Sequence, residues 1–114
     1  MKLTEILGRD SYSLSFEVFP PKRTDAFESI RASVEKIASL GPSFMSVTYG
    51  AGGGTSRYTL DIARIIHEKY GVPMLAHLTC VSSSRDSVHG QIEAIAAAGI
   101  ENVMALRGDL TPEL

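Results

Sequence analysis

Four polar residues carry the chemistry this chain can offer: Glu17, Thr48, His77 and Asp109. Two carboxyl groups, a hydroxyl and an imidazole can together donate and accept protons, hydrogen-bond a ring nitrogen and stabilise a developing positive charge. Each lies at or near the C-terminal end of a strand-like run, the runs covering residues 13–19, 44–49, 74–80 and 103–109. Successive runs begin about thirty residues apart, the length of one βα repeat. Side chains alternate across a strand, so Ser13, Ser15 and Glu17 share a face, as do Ser46 and Thr48, His77 and Thr79, and Arg107 and Asp109. The opposite faces then carry Leu14, Phe16 and Val18, Met45 and Val47, Met74, Ala76 and Leu78, and Met104 and Leu106.

Three segments of helical periodicity separate the runs and must position these groups. The first opens at Asp25 with Glu28 three residues on, a capping-box-like pair, and repeats apolar residues at Phe27, Ile30, Val34, Ile37 and Leu40 before Gly41-Pro42 stops it. The second starts near Thr55 or Ser56, carries Leu60, Ala63, Ile66 and Tyr70, and ends at Gly71-Val72-Pro73. The third begins around Ser84, places Val88, Ile92 and Ile95 on one stripe, and closes at Gly99. The order βαβαβαβ predicts right-handed crossovers and a parallel sheet. A complete (β/α)8 TIM barrel takes about 250 residues. The chain has 114 and stops after its fourth strand, so the expectation is a single incomplete domain over residues 1–114, the first half of such a barrel. An open doubly wound sheet is the structural alternative, but a sheet buried on both faces should be apolar on both.

A formal net charge of −2 with 21% charged residues gives no nucleic-acid footprint. The apolar runs are too short to span a membrane and no signal-peptide core follows Met1, so a cytoplasmic protein is expected. Cys80 alone forms no intrachain disulfide, and no Cys/His spacing suggests a metal. The loop Tyr49-Gly50-Ala51-Gly52-Gly53-Gly54-Thr55 follows a strand and opens a helix, yet it lacks the Gly-Lys-Ser/Thr of a P-loop and the third glycine of the dinucleotide fingerprint. Its glycines suit either close backbone approach to a flat or phosphorylated ligand or a simple βα turn.

Four motifs in order, Phe16-Glu17-Val18-Phe19-Pro20-Pro21-Lys22, Ser46-Val47-Thr48-Tyr49-Gly50-Ala51-Gly52-Gly53, Ala76-His77-Leu78-Thr79-Cys80 and Ala105-Leu106-Arg107-Gly108-Asp109, closely resemble the methylenetetrahydrofolate reductase family. The resemblance runs from Leu14 to Pro112 and reaches only the N-terminal half of that family's FAD-containing barrel. Gly54 departs from the Ser or Thr that many relatives carry after the glycine pair. The resemblance implies a cytoplasmic flavoprotein oxidoreductase of one-carbon metabolism and methionine supply. NADH or NADPH would reduce FAD, and the flavin would then reduce 5,10-methylenetetrahydrofolate to 5-methyltetrahydrofolate.

On that resemblance Glu17 matches the general acid that protonates a folate nitrogen. Asp109 matches the carboxylate near flavin and pterin, and both would be catalytic and substrate-binding. Thr48, Tyr49, Ala51, His77, Arg107, Gly108 and Asp109 would contact FAD or the nicotinamide. A lone histidine in an apolar strand is more often a satisfied core residue, so His77 rests mainly on the resemblance. Two other readings stay open: a flavin-independent barrel enzyme using Glu17 and Asp109 for proton transfer, and a non-catalytic assembly fragment. Unpaired edges on both sides of a four-stranded sheet lead to the expectation of a homo-oligomer. Such a fragment is expected to be inactive by itself.

Overall fold

The computed structural model describes residues 1–9, 11–19, 27–48, 56–81 and 83–110. Four strands, β1 (Ser15–Val18), β2 (Phe44–Val47), β3 (Met74–Thr79) and β4 (Asn102–Leu106), form one sheet in the order β1-β2-β3-β4. Every neighbouring pair is parallel. The helices are α1 (Leu3–Arg9), α2 (Phe27–Ala38), α3 (Ser56–Tyr70) and α4 (Arg85–Ala97). A doubly wound sheet reverses its strand order at a switch point. Here the order follows the chain without reversal, as in the first half of a (β/α)8 barrel. Among the described residues no helix is long and apolar enough to cross a membrane.

The core lies on one side of the sheet. Val18 from β1, Met45 and Val47 from β2, and Met74 and Ala76 from β3 join Val34 and Ala38 of α2, Ile62, Ala63 and Ile66 of α3, and Ile95 of α4 in a single buried cluster. Met45, Val47, Ala63 and Ile66 are fully buried. The alternation that sends these side chains to the helices turns Ser15, Glu17, Ser46, His77 and Thr79 to the opposite face. Ser84 caps α4, its hydroxyl accepting from the Ser87 amide at 3.1 Å. Gly71, with φ of 65°, ends α3 in the left-handed conformation that glycine adopts without a Cβ penalty. The capping pair read at Asp25 and Glu28 falls partly on Asp25, outside the described residues.

Leu40, read on the α2 stripe, follows the end of that helix at Ala38 and is 71% exposed. Other features also depart from the sequence reading. The first is the parity of β4: the register pairs His77 with Met104 and Thr79 with Leu106, so Met104 and Leu106 lie on the polar face and Val103 and Ala105 on the helix side. The expected alternation was counted through Arg107 to Asp109, but β4 ends at Leu106 and the backbone turns at Gly108, so strand alternation does not carry across. The second concerns the α4 stripe. Ile95 is buried and Val88 half-buried, whereas Ile92 is 45% exposed. Among the described residues nothing covers the β4 side of α4, and Val103 there is exposed as well.

The seven-residue α1 has no counterpart in the sequence reading. Asn102 ties it to the sheet: Asn102 Oδ1 accepts from the Leu3 amide at 2.9 Å, Asn102 Nδ2 donates to the carbonyls of Met1 at 3.0 Å and Met74 at 3.1 Å, and the Met1 ammonium pairs with Glu101 at 3.1 Å. Ile6 is almost fully buried.

On the outer surface Glu35 of α2 ties that helix to α3. Its Oε1 accepts from Lys69 Nζ and from Tyr70 Oη, the latter at 3.1 Å, and its Oε2 lies 3.6 Å from Arg31 Nε. The hydrogen bond from Lys69 holds the Glu35 carboxyl below its ordinary pKa, and Glu35 raises the Lys69 ammonium. A depressed carboxyl contributes stability above its unfolded pKa and loses it as pH falls through the lower folded value. The raised lysine contributes below its unfolded pKa and loses this as pH rises through the higher folded value. Glu35→Gln is therefore expected to lower the thermal midpoint at neutral pH, with the difference from wild type vanishing in acid. Melts across a pH series check this, and a deficit that persists below the carboxylate range would assign the loss to packing.

Candidate functional site

Parallel pairing brings the C-terminal ends of β1 to β4 to one rim. At β1, Glu17 is the direct cross-strand partner of Ser46 on β2. The Ser46 hydroxyl donates to Glu17 Oε1 at 3.2 Å. From β3, His77 Nε2 approaches the same Oε1 to 3.4 Å, within ion-pair distance but without hydrogen-bond alignment. The His77 side chain is 11% exposed and that of Glu17 49% exposed. His77 Nε2 is buried and has no hydrogen-bond partner among the described residues. A core histidine would have one. An imidazole nitrogen so placed, in the wall of a cavity, is suited to a ligand.

That cavity is an open depression of about 410 Å³. Thr48, His77 and Thr79 line one side, and Leu106, Arg107, Gly108 and Asp109 the other. Thr48 continues the β1–β2 ladder past the strand end, its amide donating to Val18 O at 3.1 Å. Its own carbonyl accepts from the buried Thr59 hydroxyl of α3 at 2.7 Å, which fixes the strand end against the helix that follows the glycine-rich loop. Across the depression the β3–β4 ladder also runs on, with Cys80 N donating to Leu106 O at 2.9 Å and Val81 N to Arg107 O at 2.7 Å. Arg107 and Asp109 are exposed at the rim.

Asp109 reaches this rim through the Gly108 turn. Gly108 has φ of 93°, and a Cβ built there would collide with Thr79 Cγ2 and lie 2.6 Å from Val81 Cγ1. Both neighbours are β-branched, and Thr79 is buried, so neither can swing away freely.

Of the residues read in the sequence, Thr48, His77, Arg107, Gly108 and Asp109 line this depression, and Glu17 adjoins it through His77. Tyr49 and Ala51, with the rest of the glycine-rich loop, lie outside the described residues. Sequence reasoning passed over the roles of Ser46, Thr59, Thr79 and Leu106. Ser46 shared a face with Thr48 by parity, but its pairing with Glu17 appears only once the register is known. The arrangement offers a carboxyl held by a hydroxyl, an imidazole whose buried Nε2 stands beside that carboxyl, and a carboxylate and a guanidinium at the rim. It can move a proton and bind a polar molecule with charged substituents.

Gly108→Ala is expected to lower unfolding free energy by about 2 kcal/mol or more, from left-handed strain together with overpacking. Denaturant unfolding of the folded protein measures it, and an unchanged midpoint would mean that the turn has room the geometry does not provide.

A family model described as methylenetetrahydrofolate reductase matches residues 2–114. The 5,10-methylenetetrahydrofolate reductase of Pectobacterium carotovorum is 40% identical over 111 residues, which are 97% of this chain and 37% of that protein. The protein of the same name from Escherichia coli (strain K12) is 36% identical over 96% of this chain and 36% of its own length. Methylenetetrahydrofolate reductase (NADH) 1 of Arabidopsis thaliana is 37% identical over 95% of this chain and 18% of its own length. The chain therefore spans under two fifths of the bacterial relatives and under one fifth of the plant one.

Proposed function

Because this chain belongs to the methylenetetrahydrofolate reductase family, we propose that it supplies the first four strands of a barrel that reduces 5,10-methylenetetrahydrofolate to 5-methyltetrahydrofolate with FAD and NADH or NADPH. In that role it serves one-carbon metabolism and methionine supply in the cytoplasm. The observation that carries the reading is the buried, unpartnered Nε2 of His77 in the wall of the depression, beside the carboxyl of Glu17. FAD, when bound, supplies hydride transfer between the nicotinamide and the folate.

The residues on the rim fit such a group. His77 and Thr48 offer polar atoms to a flavin ring, Arg107 a cation and Gly108 its backbone, with Tyr49 and Ala51 assigned to the same contact from outside the described residues. Glu17 holds the proton. As general acid it gives that proton to a folate nitrogen while the carbon–nitrogen bond of the five-membered ring breaks, the bonding electron pair going to that nitrogen. The carbon left behind is joined to the second nitrogen as a cation that accepts hydride. Asp109, a carboxylate in the wall of the depression, stabilises this positive charge. The apolar Leu106 beside it limits water at the reacting carbon.

In the FAD-loaded enzyme, Glu17→Gln keeps the carboxyl's shape but removes its proton transfer. Flavin absorbance and the rate of flavin reduction by the nicotinamide should stay near wild type, while the folate half-reaction slows by about 10²- to 10⁴-fold. Stopped-flow absorbance separates the two, and an unaltered folate half-reaction would sink the assignment.

A further inference from the structure

Two groups converge on the same oxygen of Glu17. Ser46 Oγ donates to Oε1 at 3.2 Å, and His77 Nε2 stands 3.4 Å from Oε1. Among the described residues Oε2 has no partner. We propose that Ser46 is a positioning residue for Glu17, which fixes Oε1 as the acceptor oxygen and so keeps the transferable proton on Oε2. The proposal rests on the general-acid reading of Glu17 and goes beyond it by assigning which oxygen delivers the proton and what enforces the choice.

The physical argument begins with the inventory of the groups. A neutral carboxyl carries one proton on one oxygen, and the other, the carbonyl oxygen, is the stronger acceptor, so a fixed donor favours the proton on the oxygen it does not meet. The acceptor side is set by whichever oxygen meets a fixed donor. Ser46 is such a donor: it is 7% exposed, has a single side-chain torsion, and pairs directly with Glu17 across β1 and β2. The register holds its Oγ at the height of the carboxyl.

Glu17, by contrast, is half exposed on a side chain with three torsions, which would rotate freely without a restraint. A hydroxyl suits this better than a lysine or arginine would. It holds the carboxyl without adding a positive charge, which would favour the ionised carboxylate over the protonated acid. When the proton passes from Oε2 to the folate nitrogen, Ser46 Oγ remains a donor to the carboxylate that forms, so no donor has to reorganise during the step.

The test uses the FAD-loaded holoenzyme with Ser46→Ala and Ser46→Thr beside Glu17→Gln. Ser46→Ala should slow the folate half-reaction at saturating folate by about 10- to 100-fold through misplacement of the acid. The half-saturating folate concentration and the rate of flavin reduction by the nicotinamide should be unchanged. Ser46→Thr keeps the hydroxyl and should recover the wild-type rate. A second readout needs no turnover: in infrared difference spectra with Glu17→Gln as the blank, the Glu17 carboxyl band shifts in Ser46→Ala and stays in place in Ser46→Thr. If Glu17→Gln keeps a wild-type folate half-reaction, the general-acid reading falls and this role falls with it. If Glu17→Gln loses that half-reaction while Ser46→Ala keeps both rate and band, the positioning role alone is overturned.

Discussion

Parallel pairing in chain order is the constraint on which everything else in this structure depends. It aligns the C-terminal ends of β1 to β4, so residues from four repeats meet on one rim although nearly a hundred positions separate Glu17 from Asp109. The same alignment sets the buried side of the sheet. With Val18, Val47 and Ala76 in successive register on the helix side, the neighbouring positions Glu17, Ser46 and His77 have only the other face available. A slip of one residue in any strand would send its polar side chain into the apolar cluster and its apolar one to the rim. The core therefore enforces the geometry of the site without touching it.

Repeat length, helix stops and the buried stripe of α3 were legible in the sequence because each is written in local residue types. Ala63 and Ile66 of the stripe read in the sequence are fully buried, with Leu60 and Tyr70 packed partly buried beside them, and Gly71-Val72-Pro73 ends the helix. Spacing and strand-end position singled out Glu17, Thr48, His77 and Asp109, and the family resemblance then suggested their roles. The parity of β4 was not legible. Counting back from Asp109 assumed an extended backbone where Gly108 makes a turn, and it put Met104 and Leu106 on the wrong side. The α1 helix was missed for a different reason. It is seven residues long, and the asparagine that ties it to the sheet lies ninety-nine positions away, which no window of sequence can reveal.

The face that carries the site is mixed at every level. At the level of Ser46 its β3 partner is the buried Leu75, and on β4 Met104 and Leu106 stand beside His77 and Thr79, so apolar side chains flank the polar ones up to the rim. Barrel interiors are filled by such layers of side chains contributed by neighbouring strands. The consequence for His77 is specific. It is flanked by Leu75 below and Thr79 above on the same strand face, deep enough to lose water and high enough to meet a ligand.

The clasp made by Asn102 also orders events in time. Its bonds to the Leu3 amide and the Met1 carbonyl close a loop of about a hundred residues, whereas each strand pair closes one of about thirty. Closing long loops costs chain entropy that nearby pairings must first offset. The Asn102 bonds to Leu3 and Met1 therefore form late: they require β4 to be in place on β3. The helix is thus fastened by a contact that closes after the short-range strand pairs, despite lying next to β1 in the chain.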